Sequence, residues 1–156
     1  MDKAQVLLMR HAEKPTDPLD PDLTPAGRQR AEKLVDYIPK TFGKPAFLFA
    51  SAASKHSRRP IETITPLAQN CGLKIDESFA DQDYEALAHE LLTNDQYESK
   101  LILLCWHHGN IPPLAHAPNA PHGDYPNPWD PTVFNLILNF KFRSGKPEVQ
   151  EMTEPF

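Results

Sequence analysis

Three short polar stretches in this chain carry the residue types that could do chemistry. Arg10-His11 follows directly on the apolar run Gln5 to Met9. Lys55, His56, Arg58 and Arg59 cluster after a second run, Ala46 to Ala50. His107-His108-Gly109-Asn110 follows a third, Lys100 to Trp106. Guanidinium groups present planar pairs of donors that match phosphate oxygens. An imidazole attacks phosphorus only when neutral, and a cationic neighbourhood disfavours its protonated form. Brought together, these groups would repel one another unless an anion neutralised them. A phosphoryl group is the anion that best suits arginine's geometry.

Such a meeting depends on the elements that carry the three stretches. Short continuous apolar runs suit strands buried on both faces. Parallel strands joined by right-handed crossovers all end on the same side of the sheet, so the three loops converge on one rim. Between the strands the chain reads as helix. Thr24 is an N-cap with Pro25 at the first helical position, and Ala31, Leu34, Val35 and Ile38 recur at helical spacing until Pro39 and Gly43 end the pattern. A second helix runs through Ile61, Ile64, Leu67 and Ala68, with a kink or late start expected at Pro66. Leu73-Lys74-Ile75 is at most a short strand, and Tyr84 to Leu92 is a third helix. Asn110 is expected to cap a fourth, with Pro112 and Pro113 in its first turn.

From Pro118 to Pro131 the chain is an irregular, proline-rich loop; Tyr125 and Trp129 lie in it and are candidates to cover part of the rim. Val133 to Phe142 alternates, with Phe134, Leu136, Leu138, Phe140 and Phe142 on one side and polar residues on the other, as in a half-exposed strand near a sheet edge. Glu148 to Thr153 is a candidate last strand. This alternation predicts an α/β fold, a three-layer sandwich with a mostly parallel central sheet and helices on both faces. Residues 1–156 read as one domain.

Composition narrows the function classes. The net charge of −5 argues against a nucleic-acid partner, so a cationic pocket would be a local device. The two cysteines, Cys71 and Cys105, have no CxxC partner, which argues against a thiolate metal site. No apolar span reaches 18 residues and no signal-peptide pattern opens the chain, so the expectation is a cytoplasmic protein without membrane association, unless a leader has been removed.

In the same order along the chain, Leu8-Met9-Arg10-His11-Ala12, Leu23 to Ala31, Arg59-Pro60-Ile61-Glu62-Thr63 and Trp106 to Ile111 resemble four motifs of the histidine phosphatase superfamily, which includes the phosphoglycerate mutases. Alanine after Arg-His is similar to the small phosphohistidine phosphatases. The resemblance spans residues 5 to about 115. It implies a phosphoglycerate mutase-like fold and His11 as the nucleophile, phosphorylated in an intermediate that water then hydrolyses. It implies Arg10, Arg59 and His108 as phosphoryl ligands and part of the catalytic set, with Asn110 beside them. No cofactor and no metal are implied, because the cations stabilise the developing charge. A backbone carbonyl is expected to hold the other ring nitrogen of His11. His107 competes with His108, which is favoured by the Gly-Asn after it; Arg58 competes with Arg59, which is favoured by its spacing to Thr63.

The leaving oxygen needs a proton donor, and here no motif matches. Asp81, Asp83 and Glu85 are the candidates, with Asp83 first because it adjoins the third helix's start; Glu13 is more remote. The short Ala50–Lys100 segment leaves little room for a mutase lid. The expectation is therefore a phosphoric monoester hydrolase acting on a phosphorylated small molecule or on protein phosphohistidine. A phosphosugar mutase and a non-catalytic phosphate-binding module are the alternatives.

Overall fold

The structure is a computed structural model that describes residues 1–156. Six strands form one sheet: β1 (Gln5–Arg10), β2 (Phe47–Ala50), β3 (Ile75–Asp76), β4 (Leu101–Trp106), β5 (Leu136–Arg143) and β6 (Lys146–Thr153). Their order across the sheet is β3-β2-β4-β1-β5-β6. The first four are parallel; β5 pairs antiparallel with β1, and β6 antiparallel with β5. Three of the five strand pairings are parallel, so the expectation of a mostly parallel sheet is roughly right.

Four helices cover the faces: α1 (Pro25–Phe42), α2 (Arg59–Cys71), α3 (Tyr84–Thr93) and α4 (Ile111–His116). Side chains alternate along β1, so Val6 and Leu8 enter the core beneath α3 and α4 with Leu87, Leu91 and Leu114. Leu7 and Met9 enter the opposite core with Leu34 and Ile38 of α1 and Ile64 and Leu67 of α2. No helix is long and apolar enough to cross a membrane.

Several boundaries differ from expectation for local reasons. Pro39 does not end α1; the helix continues to Phe42, and Gly43, at a φ of 104°, donates its N–H to the Pro39 carbonyl. Helix α2 begins at Arg59 and runs through Pro66. Strand β5 is less exposed than its alternation implied. Lys141 is exposed, but β6 takes the sheet edge and the second face also buries Ile137 and Asn139. Asn139 accepts a hydrogen bond from Gln5 Nε2 at 2.9 Å.

Two features fix the turn after β1. The Thr24 hydroxyl caps α1 by accepting from the Gly27 N–H, as expected. Gly27 lies so close to the Glu13 backbone that a Cβ would stand 2.6 Å from its carbonyl oxygen, so only glycine fits. Arg30 then binds both carboxylate oxygens of Glu13, the buried Glu154 and the Phe156 carbonyl. This clamp ties α1 and the C-terminal segment to the residues just after His11.

Candidate active site

The parallel strands deliver the three polar stretches to one rim, as their order requires. The His11 N–H donates to the Trp106 carbonyl, and the Ser51 N–H donates to the Cys105 carbonyl. His11, Ser51 and His107 therefore leave three neighbouring strands side by side. Above them lies a cleft of about 560 Å³ lined by Arg10, His11, Lys14, Ser51 to Ser54, His56, Ser57, Arg59, Ala80 to Gln82 and His107 to Gly109.

His11 sits at its floor, only 2% exposed. Its Nδ1 lies 2.6 Å from the Ala12 carbonyl, so that nitrogen carries the proton and Nε2 is left with a free lone pair. Nε2 has no hydrogen-bond partner in the protein. Burial, together with His107, Arg10 and Arg59, outweighs the carbonyl's opposing effect and lowers the His11 pKa to about 2. The ring is neutral at any physiological pH.

The backbone that holds this imidazole is held in turn by α2. The Ala12 N–H donates to the Thr63 hydroxyl at 2.9 Å, and that hydroxyl donates to the Arg59 carbonyl at 2.7 Å. Residues four apart on a helix stand one above the other, so the Arg59-x-x-x-Thr63 spacing lets one turn of α2 present an arginine and grip the His11 turn.

Arg10 and Arg59 both reach the cleft, and neither is paired with a carboxylate within 4 Å. Each is anchored by a backbone carbonyl instead: Arg10 Nη1 by Pro131 at 2.6 Å and Arg59 Nη1 by Asp20 at 2.8 Å. The Nε of each is buried without a partner. Burial, with Arg59 nearby, lowers the Arg10 pKa to about 10; burial lowers that of Arg59. These are two cations without carboxylate partners beside a neutral imidazole. Arg58, by contrast, is exposed and bonded to Asp22, away from the lining.

His107 and His108 both line the cleft, but they are not equivalent. The His107 ring packs edge-on to His11 with centroids 5.2 Å apart. Burial, then Arg59 and Arg10, lowers the His107 pKa to about 4. His108 is more open and less perturbed, its pKa lowered by burial, Arg10 and Lys14. The two-residue repeat His-His hid this division, because only the strand end at Trp106 decides which ring meets His11.

Among the carboxylates the structure departs from the first choice. Asp83 is exposed, its side chain turned back 3.3 Å from the Ala80 N–H, and it does not line the cleft. Glu85 is exposed and also lies outside it. Glu13 is held by Arg30. Asp81 is the one carboxylate on the lining. The Trp106 indole donates to the Asp81 backbone carbonyl at 2.9 Å, and Asn110 Nδ2 donates to its Oδ2 at 2.8 Å. Its Oδ1 is buried without a partner, and burial raises its pKa. Asn110 therefore serves Asp81. It does not line the cleft as a phosphate ligand, and its side chain does not cap α4.

Reasoning from sequence missed Ser51, whose buried hydroxyl has no partner at the floor of the cleft. It also missed Phe134, whose ring lies 4.0 Å from the Arg10 guanidinium carbon. Of the remaining basic residues, Lys14 and His56 are exposed on the rim, while His89, His116 and His122 lie elsewhere. Tyr125 and Trp129 are buried in the core and do not cover the cleft. No group of three or more His, Cys, Asp or Glu side chains is placed to hold a metal ion.

No protein-family model matches the chain, and no curated protein matches it by sequence. Solved structures do match it. The protein histidine phosphatase SixA complexed with tungstate is similar with a TM-score of 0.68 at 16% identity, covering 96% of each chain. A mycobacterial glucosyl-3-phosphoglycerate phosphatase complexed with inorganic phosphate gives 0.64 at 13% identity, covering 98% of this chain and 96% of that one. A phosphoserine phosphatase from Entamoeba histolytica in complex with phosphoserine gives 0.59 at 17%, covering 93% and 94%. Matched over nearly its whole length, this chain has the fold of the phosphoglycerate mutase-like histidine phosphatases.

Proposed function

We propose that the protein is a metal-independent phosphatase that passes the phosphoryl group through a phosphohistidine on His11. The observation that carries this reading is the state of that ring. It is buried and neutral, tied at Nδ1 to the Ala12 carbonyl, and free at Nε2 in a cleft lined by two arginines that have no carboxylate partner.

In the first step Nε2 bonds to phosphorus as the bond to the leaving atom breaks, an oxygen in a phosphomonoester or a ring nitrogen in a phosphohistidine. Arg10 and Arg59 bind the equatorial oxygens, with His107 and His108 beside them, and hold the charge of the in-line transition state. The electron pair goes to that leaving atom, and Asp81 supplies its proton. Its raised pKa suits a donor, and Asn110 fixes the carboxyl. In the second step water attacks phosphorus, the P–N bond breaks with its electrons returning to Nε2, and the Asp81 carboxylate takes the water's proton.

The substrate is a phosphomonoester or a phosphohistidine carried by a protein. An open cleft walled by Ser51, Ala52, Ala53, Ser54 and Ala80 favours hydrolysis over a mutase cycle, which must shield its phosphohistidine from water. Hydrolysis of p-nitrophenyl phosphate in the presence of EDTA tests the reading. Wild type should turn over and His11→Ala should not; full activity in His11→Ala refutes the mechanism.

A further inference from the structure

Arginine side chains are long and lose rotamer freedom when they bind, so a phosphoryl ligand gains if its guanidinium is already fixed. A carboxylate could fix it, but would also neutralise it. Arg10 is fixed differently. The Pro131 carbonyl accepts from Nη1 at 2.6 Å, and the face of Phe134 lies 4.0 Å from the guanidinium carbon. Both partners are uncharged, so they orient the cation without cancelling its charge.

The segment that supplies them is itself locked. Trp129 is plugged into the core, 3% exposed, and its indole donates to the Val133 carbonyl at 3.0 Å. The Asp130 carboxylate accepts from both the backbone and the hydroxyl of Thr132, and the Val133 N–H donates to the Asp130 carbonyl. These bonds close residues 129–133 into a turn with the Pro131 carbonyl at its apex. Phe134 then leads into β5, which pairs with β1 up to Met9 opposite Ile137. Brace and arginine thus stand at the ends of adjacent strands, and no residue of 118–134 lines the cleft.

We propose that residues 129–134 are a fixed brace that positions Arg10, with the Pro131 carbonyl and the Phe134 ring as its contacts and Trp129 as its anchor. The proposal rests on the reading of Arg10 as a phosphoryl ligand for its consequence, though not for its geometry. The proline-rich loop is accordingly neither lid nor substrate sieve; it acts from behind the site.

The test compares wild type with Phe134→Leu, which removes the ring, and Phe134→Tyr, which keeps it. Two readouts are needed: the order of the Arg10 Nε–H from NMR relaxation without ligand, with its signal identified through Arg10→Lys, and the affinity for inorganic phosphate. Phe134→Leu should loosen Arg10 and weaken phosphate binding by about threefold to tenfold, the range of a partly desolvated cation–π contact. Phe134→Tyr should restore both. Asp130→Ala, an exposed change that opens the turn, should loosen Arg10 as well, and it decides the matter if Phe134→Leu does not fold. Arg10 as ordered in these variants as in wild type overturns the brace, whatever the phosphate affinity. Arg10 loosened with phosphate binding unaltered, or absent even in wild type, upholds the brace and refutes the reading of Arg10 as a phosphoryl ligand.

Discussion

Replacing Thr63 with valine isolates one hydroxyl. Valine keeps the branched shape, so the packing of a side chain that is 1% exposed is preserved. Both bonds of the hydroxyl are lost: the one it accepts from the Ala12 N–H at 2.9 Å and the one it donates to the Arg59 carbonyl at 2.7 Å. The carbonyl keeps its ordinary helical partner. The Ala12 N–H does not; Ala12 is fully buried, and its amide is left without an acceptor. An orphaned buried donor costs about 1–3 kcal/mol. In a chain of this size that lowers the melting temperature by about 2–4 °C per kcal/mol.

The catalytic effect should exceed what stability alone predicts. Ala12 also supplies the carbonyl that holds His11 Nδ1 at 2.6 Å, so a displaced residue 12 re-aims the imidazole proposed as nucleophile. A misplacement approaching 1 Å costs up to about a hundredfold in rate, so a tenfold fall in kcat is expected with the fold intact. Thermal unfolding and p-nitrophenyl phosphate turnover are measured on Thr63→Val and on Thr63→Ser, which retains the hydroxyl. If Thr63→Val melts and turns over as Thr63→Ser does, the Ala12–Thr63–Arg59 relay holds nothing and the account of His11 alignment is wrong.

Asp81→Asn should slow phenyl phosphate, whose leaving group needs a proton, by about a hundredfold or more, and slow p-nitrophenyl phosphate much less; Asp83→Asn should change neither ratio. In the proposed first step the protonated Asp81 is the working form. kcat/KM for phenyl phosphate should therefore fall as pH rises through its raised pKa, and that limb should vanish in Asp81→Asn. His107 is held neutral down to about pH 4 when folded, whereas an unfolded imidazole protonates near 6.5. Over that window the unfolded state binds more protons, so stability drops as pH falls from about 6.5 to 4. Urea titrations of His107→Gln across the window should show a shallower loss; an unchanged slope excludes the buried imidazole as the cause. Gly27→Ala drives a Cβ to 2.6 Å from the Glu13 carbonyl oxygen and should destabilise the chain by about 1–3 kcal/mol, measurable by urea denaturation; wild-type stability would mean the His11–Glu13 turn yields freely.

The sequence by itself determined the strands, the order of the helices and the three stretches that meet at the rim. These rest on local signals: apolar runs too short for helices, an N-cap before a proline, helical spacing, and the rule that parallel strands end together. It also pointed to Arg10 and His11, which directly follow the first apolar run, and, through the resemblance of the Arg59 to Thr63 motif, to Arg59. Tertiary structure alone decided which member of a close set turns inward. His107 packs on His11, and Asp81 alone faces the cleft because Trp106 and Asn110, some 25 to 29 residues away in sequence, hold its backbone and side chain. Pro131 and Phe134 reach Arg10 across more than 120 residues because β5 pairs with β1. Spacing along one element fixes neighbours three or four residues apart. It carries no record of which distant side chain supplies the missing donor or acceptor, since that depends on the register of strands that meet only when the sheet has formed.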